Sequence, residues 1–385
     1  MTEVVLNVKE VLTPFTRISP ASIVIKDERI AKIKSYWMDS PNTINAKELI
    51  AVPGFIDTHI HGYRGKDVNS GSVEDLVAMA KELVRRGVTA FIPTTVTLPH
   101  DRLLRIAEGV VEAKKIVEES KCGARILGLY LEGPYINKEM KGAQNPEYIR
   151  EPRVDELEEY YKASKGLLKI VALAPELPGA EDVISRAREL GIIVSLGHSA
   201  ADFDTATKAI SLGLSRATHL FNAMKRFHHR DPGAVLALLQ APNVFLEIIA
   251  DFIHLHPQVV KMVIDFAGWR RVVLITDAIS ATDLPDGEYE LGGLKVIVKN
   301  GIARLVDGTL AGSTLTMDRA VKNVASLGIE LWKAIAMATA VPAESIGERC
   351  IGRIEPGYFA DIVLLDQHLD VVKTIVRGEE LYSRS

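Results

Sequence analysis

The chain has 385 residues, of which 47% are hydrophobic and 25% charged, with a net charge of −4 and two cysteines. That is enough apolar sequence to build a core unaided, so a disulfide-stapled miniprotein and a disordered chain are both excluded. The mild charge gives no electrostatic reason to expect a nucleic acid or an anionic membrane surface as partner. In chain order, Val4–Val8, Ile23–Ile25 and Ile30–Ile33 read as short strands, the last after the charged turn Asp27-Glu28-Arg29. Leu49–Ile56 is almost continuously apolar, as expected of one strand buried on both faces.

From there apolar runs alternate with 3.6-residue periodicity. The candidate parallel strands are Val88–Ile92, Ile126–Leu131, Leu168–Leu173, Ile192–Leu196, Arg216–Thr218, Phe245–Ile249 and Val272–Thr276. Helical patterns fall between them at Val73–Arg86, Arg102–Glu118 and Glu181–Leu190. Arg85-Arg86-Gly87 is a helix stop, with cations in the last turn and glycine beyond. With the run before His59, eight strands alternate with helices, the count of a (β/α)8 barrel, although an open doubly wound sheet gives a similar local pattern. Leu294–Val298 and Ile302–Val306 flank Asn300-Gly301, a type I′ hairpin signal. Helical patterns at Leu315–Leu327 and Leu331–Ala340 follow, then strands at Asp361–Leu365 and Val371–Val376. β-rich segments thus bracket the barrel. The expected organisation is an α/β TIM-like barrel over residues 51–354 and a small β-sandwich built jointly by residues 1–50 and 355–385.

Polar residues recur where these strands end. His59 and His61 follow the first buried run, and their His-x-His spacing in extended chain puts both imidazoles on one side. Glu132, His198, His219 and Asp277 each directly follow or closely follow a candidate strand. A lone histidine there is usually a satisfied polar residue, Asp277 alone could cap a helix and Glu132 alone could be a loop charge. Six such groups at the C-terminal ends of barrel strands are another matter, because barrel enzymes assemble their chemistry there. The mixed nitrogen and oxygen set suits zinc and other first-row divalent ions.

Pro53-Gly54-Phe55-Ile56-Asp57-Thr58-His59-Ile60-His61 resembles the opening metal motif of the amidohydrolase superfamily, and Gly352–Val363 resembles the segment by which such chains re-enter their terminal sandwich. A narrower resemblance is to the N-acetylglucosamine-6-phosphate deacetylase family. It is carried by Leu131-Glu132-Gly133-Pro134-Tyr135, Gly197-His198-Ser199, Thr218-His219-Leu220-Phe221-Asn222-Ala223-Met224 and His228-His229-Arg230-Asp231-Pro232-Gly233. It continues through Ile249–His254, Thr276-Asp277-Ala278 and Leu310–Met317, in family order along nearly the whole chain.

The resemblance implies that Glu132, His198 and His219 hold a core metal ion, and that His59 and His61 add a second with Glu132 bridging. Asp277 is implied as general acid and base, at the metal. Arg230 and His254 are implied to hold the sugar phosphate, in part across a dimer interface, with Asn222 and Ala223 offering backbone groups to the substrate. One position departs: the family usually has histidine where this chain has Gln144, near the acetamide, and an amide can donate a hydrogen bond but cannot carry charge.

The implied reaction is deacetylation of N-acetylglucosamine 6-phosphate by metal-bound hydroxide, with one or two divalent ions: zinc, or iron, manganese or cobalt. Two alternatives stand beside it. One is an amidohydrolase acting on a different N-acyl or cyclic amide, for which Gln144 speaks. The other is a non-catalytic barrel scaffold, against which the complete ligand set speaks. The expected partners are a sugar-phosphate substrate and a second copy of the chain, with no nucleic acid and no membrane. Cys122 and Cys350 have neither disulfide-framework nor zinc-ribbon spacing, and the N-terminus shows no signal-peptide pattern, so a cytoplasmic location is expected.

Overall fold

In the computed structural model, which describes residues 3–384, the apolar run from Leu49 to Ile56 is divided between two sheets. Its first part completes the strand Thr43–Pro53, and Phe55–Ile60 opens the barrel. The break falls at Gly54, where a Cβ would stand 2.1 Å from Thr89 Oγ1, so a side chain there cannot pass this neighbour. The single buried strand expected from the run is therefore two, because both segments are covered on both faces and nothing in hydrophobicity marks the change of partner.

The barrel strands, in order, are Phe55–Ile60, Val88–Thr95, Leu129–Glu132, Leu168–Leu173, Ile193–Leu196, Arg216–Ala217, Phe245–Ile249 and Val272–Ile275, each parallel to the next. The ring joins between last and first strands at its C-terminal end. There Asp277 N–H donates to His59 O and His61 N–H to Ala278 O, each over 2.9 Å. The strand expected at Ile126–Leu131 is interrupted: Arg125–Ile126 and Leu129–Glu132 are separate pieces. Arg125 lies opposite Ala90 but Tyr130 opposite Thr94, so the register slips as at a β-bulge, which re-aims the end of the strand bearing Glu132.

Helices pack outside the strands. Val73–Leu83 presents Leu76, Met79, Ala80 and Leu83 to the core, is capped by the Ser72 hydroxyl on Asp75 N–H, and leads into a short turn that ends at Gly87 with φ 76°. The Asn300-Gly301 turn has positive φ at both residues, 53° and 70°, the type I′ geometry its sequence announces. The hairpin gains a third antiparallel strand, Gly287–Leu291, which brings Leu291 to the barrel mouth.

The chain ends meet in one mixed sheet. Thr43–Pro53 runs parallel to Glu3–Leu12 and antiparallel to Ile362–Leu365, with Ala21–Lys26 and Arg29–Lys34 on one flank and Val371–Val376 and Glu379–Ser383 on the other. Alternation along Ile362–Leu365 joins the two parts of the molecule. Ile362 and Leu364 face a small core with Leu6, Ile23 and Ile30, while Val363 and Leu365 pack into the main core.

Candidate metal centre and active site

The six strand-end groups converge at the barrel mouth, all of them buried. They form two triads, His59 with His61 and Asp277, and Glu132 with His198 and His219. Within the first, His59 Nε2 and His61 Nε2 are 3.3 Å apart, and Asp277 Oδ1 lies 2.9 Å from His61 Nε2 and 3.5 Å from His59 Nε2. Within the second, Glu132 Oε1 is 3.0 Å from His198 Nε2 and 2.8 Å from His219 Nε2, and those two nitrogens are 3.2 Å apart. Glu132 spans the triads, for its Oε2 is 3.2 Å from His61 Nε2.

The backbone is strained where it delivers these groups. His198, His219 and Asp277 have φ of 49°, 29° and 51°, a region non-glycine residues rarely occupy and which costs about 1–3 kcal/mol each. The neighbouring chain holds Asp277 in place. Ser313 N–H donates to Asp277 O over 2.7 Å, and Gly312 makes that approach possible because a Cβ there would stand 2.8 Å from the same oxygen.

The far nitrogens of three imidazoles meet groups that can only accept. His59 Nδ1 faces Glu247 Oε2 at 2.9 Å, His61 Nδ1 faces Thr94 O at 3.0 Å, and His198 Nδ1 faces Met140 O at 2.9 Å. Each Nδ1 is therefore the N–H donor, and each Nε2 turns toward the centre with a lone pair to give. Two pairs of Nε2 atoms at 3.2–3.3 Å cannot all be satisfied by one another. Asp277 Oδ1 is also buried without a well-formed donor. A convergence of unshared lone pairs of this kind fits a divalent cation.

Electrostatics lead to the same conclusion. Burial pushes the Glu132 carboxyl up, but the four imidazoles gathered round it, His198 and His219 first and then His59 and His61, outweigh it and hold it well below the usual carboxylate range. Burial likewise opposes ionisation of Asp277, and His59 and His61 outweigh it to leave the carboxyl lowered. Burial disfavours charge on His61, yet Asp277 and Glu132 beside it favour a positive charge strongly. What favours a proton there favours a metal ion in its place. Below the centre, burial pushes the Asp57 carboxyl up to about 6 despite hydrogen bonds from Thr276 and the His59 backbone.

A cavity of about 210 Å³ opens over the triads. His61, Glu132, His198, His219 and Asp277 form its floor, and Gln144, Asn222, Ala223, His254, Leu291 and Leu310 line its walls. Gln144 and His254 are both engaged with neighbours. Gln144 donates to Glu132 Oε2, and His254 Nδ1 is 2.7 Å from Asp251 Oδ2. Asn222 Nδ2 donates back to His219 O over 3.2 Å. Arg230 is not brought to this cavity. It lies exposed on the loop before Gly233, and its neighbour Asp231 pairs with Lys225 at 2.8 Å rather than with it. A larger groove of about 770 Å³, between Phe15 and Trp332, is lined in part by the ion pair of Glu10 with Arg17, and among the described residues it holds no cluster of metal ligands.

Sequence reasoning passed over the groups beneath the triads: Glu247, Arg216, Thr94 O and Met140 O. Two of these are carbonyl oxygens, which no side-chain pattern reveals. Glu247 did leave a signal, a lone carboxylate inside the apolar strand Phe245–Ile249.

With the geometry in hand, comparison with known proteins is specific. The family model described as the amidohydrolase family matches residues 50–381. An N-acetylglucosamine-6-phosphate deacetylase of Vibrio furnissii is 40% identical, covering 94% of this chain and 91% of that protein. An N-acetylgalactosamine-6-phosphate deacetylase of Escherichia coli O157:H7 is 37% identical, covering 97% and 98%. Among solved structures, the N-acetyl-D-glucosamine-6-phosphate deacetylase of Mycobacterium smegmatis in complex with N-acetyl-D-glucosamine-6-phosphate superposes with a TM-score of 0.93. It is 30% identical and covers the whole of both chains.

Proposed function

The chain belongs to the N-acetylglucosamine-6-phosphate deacetylase family of amidohydrolases, and on that premise we propose that it hydrolyses the acetamide of N-acetylglucosamine 6-phosphate to glucosamine 6-phosphate and acetate. The observation that carries the proposal is the double triad, with imidazole Nε2 atoms and two carboxylates converging under a cavity of sugar size.

Glu132, His198 and His219 would hold one divalent ion, and His59, His61 and Asp277 a second. The nitrogen-rich set favours zinc, with iron, manganese and cobalt as alternatives. When bound, such an ion supplies Lewis acidity toward the acetyl carbonyl and lowers the pKa of water toward ~7. Asp277 takes the proton of the attacking water as the C–O bond forms. It returns that proton to the sugar nitrogen as the C–N bond breaks, so the amine leaves neutral. The left-handed backbone at Asp277 and the Ser313 contact hold that carboxylate at the centre through both transfers. Asn222 and Ala223 line the wall against which the sugar lies, and Leu291 and Leu310 keep bulk water from the reacting carbon.

The phosphate falls to His254 on the cavity wall and to Arg230 of a second copy. Arg230 is exposed and outside its own cavity, and exposed apolar groups flank both residues. Phe227 stands before the Arg230 loop, Ile253 adjoins His254, and Met262 and Phe266 lie a turn apart on the helix Pro257–Ala267. Exposed apolar side chains on these segments suit the face of a homodimer. Among the described residues no helix is long and apolar enough to cross a membrane; free Cys122 and Cys350 suit the reducing cytoplasm.

A second reading keeps the chemistry and changes the sugar to its 4-epimer, because one relative of comparable identity is named for N-acetylgalactosamine 6-phosphate. Acetate release from both sugar phosphates and from unphosphorylated N-acetylglucosamine tests these readings together. Preference for N-acetylglucosamine 6-phosphate is expected. Equal rates with and without the phosphate would remove the phosphate anchor, and a preference for the galacto epimer would replace the substrate.

A further inference from the structure

Glu247 lies in the middle of the seventh barrel strand, fully buried, and takes no part in the chemistry above. Its carboxylate is nevertheless connected to both triads. Oε2 accepts from His59 Nδ1 over 2.9 Å and from the backbone N–H of His219 over 3.2 Å. Oε1 accepts from Arg216 Nε over 2.6 Å. Arg216, also fully buried, spreads its other nitrogens to Ser345 Oγ at 2.7 Å and to Thr58 Oγ1, next to His59. The Glu247 backbone adds a contact, its carbonyl accepting from Leu220 N–H over 2.8 Å. Barrel strands one, six and seven are thereby cross-linked through one ion pair directly under the centre.

We propose that Glu247, backed by Arg216, is the positioning residue common to both metal sites. Its hydrogen bond to Nδ1 settles His59 in the tautomer whose Nε2 is free to bind an ion. Its second bond holds the peptide N–H of His219, whose φ of 29° needs a partner to persist. A buried carboxylate in an apolar strand is costly unless paired, and Arg216 supplies the pairing where no water reaches. A hydrophobic pair would serve packing alone; the ionised pair serves the direction of two ligands. This inference rests on the reading of the triads as a divalent metal centre.

The test uses Co(II) as the bound probe, titrated into metal-free protein against a competing chelator, with visible absorption reporting the coordination of each site. In the wild type, two ions with imidazole-type spectra are expected. Glu247→Gln keeps the shape but replaces one of the two acceptor oxygens with an NH2 group, which must face either Arg216 or the His59 and His219 donors and removes the charge that pairs with Arg216. It should weaken Co(II) binding by about 10–100-fold, with an altered spectrum. Wild-type affinity and spectrum in the variant would overturn the positioning role and leave the metal reading standing. No Co(II) bound by wild type would overturn both.

A second measurement needs no variant. Imidazole nitrogen NMR of histidine-labelled, Zn-loaded wild type should show His59 protonated at Nδ1, with that proton shielded from exchange. A His59 protonated at Nε2, or one whose Nδ1 proton exchanges freely, would refute the proposal even if Glu247→Gln failed to fold.

Discussion

Gln144 donates its side-chain amide to Glu132 Oε2 over 2.8 Å, and its own Oε1 accepts the Thr97 backbone N–H over 2.6 Å. Both ends of the amide are thus taken by the protein, one of them by the carboxylate that spans the two triads. Gln144 also lines the cavity, so it stands between the metal centre and the substrate. Truncation to Ala leaves Glu132 Oε2 short of a donor and the buried Thr97 N–H without its acceptor. A hydrogen bond to a charged group is worth about 1.5–3 kcal/mol, so Gln144→Ala should lower kcat/KM by roughly 10–100-fold. If the residue acts through Glu132, metal affinity falls with activity. A rise in KM alone, at unchanged metal affinity, would make it purely a substrate contact.

Asp277→Asn keeps the shape of the side chain and removes its ability to carry a proton. We expect kcat to fall by about 10²–10⁴-fold while KM changes little, since the proposed arrangement gives the sugar to other groups. The metal content of the variant must be measured alongside, because Asp277 Oδ1 also faces His61 and His59. A variant that keeps its metal and its wild-type rate would take the proton-carrier role from Asp277.

Removal of divalent ions should abolish acetate release, and restoring one equivalent series of Zn(II), Fe(II), Mn(II) and Co(II) should rank the native candidates. Heat stability should fall together with activity. An ion present at a hundredfold excess over its Kd stabilises the folded state by about 2.7 kcal/mol, and chelation withdraws that. Unchanged turnover and unchanged Tm in excess chelator would contradict the double-triad reading.

The strand-helix alternation and the placement of polar residues at strand ends were legible because both are local. Each barrel strand is a short apolar run, and each of the six converging groups stands at or just past the end of one. Less legible were features set by partners distant in sequence. Hydrophobicity is blind to the change of sheet at Gly54, since Val52 and Phe55 are equally buried. The arrival of Leu291 over the mouth depends on a hairpin whose contacts are made across the fold. Glu247 and Arg216 sit in apolar surroundings and find one another only when strands six and seven pair. The exposed position of Arg230 follows from tertiary placement that no motif encodes.

Away from the centre, Arg86 and Asp283 form a two-pronged pair, Nε to Oδ2 at 2.7 Å and Nη2 to Oδ1 at 2.6 Å, with the Tyr63 hydroxyl donating to the same carboxylate. The pair ties the turn after the first barrel helix to the loop after the last barrel strand. Burial pushes the Asp283 carboxyl up, but Arg86 and Tyr63 outweigh it and leave it below its ordinary 3.8. A depressed carboxylate contributes stability that is present above the unfolded-state pKa and lost as pH falls through the folded-state one. Asp283→Asn should therefore cost about 1.5–3 kcal/mol in denaturant unfolding at pH 7. The difference between wild type and variant should shrink once the pH passes below about 4. A difference that holds constant down to pH 3 would show that the pair contributes by packing, not charge.

Arg230 offers the sharpest test of the proposed dimer, because its site and its chain can be separated. Arg230→Ala alone should raise KM for the sugar phosphate strongly, leaving the slow turnover of unphosphorylated N-acetylglucosamine unaffected. Asp277→Asn alone removes turnover at its own centre but keeps Arg230. If Arg230 reaches the neighbouring subunit's cavity, a mixed dimer of the two variants contains one intact site, with Asp277 from one copy and Arg230 from the other. Co-expressed in equal amounts, half the dimers are mixed and each has one working site of two, so about a quarter of wild-type activity should return at low substrate. If Arg230 instead serves its own cavity after a loop movement, no combination restores a complete site, and activity stays at the average of the two variants. Recovery on co-expression, and its absence when the purified homodimers are mixed without subunit exchange, is the pattern expected of a phosphate site completed across the interface.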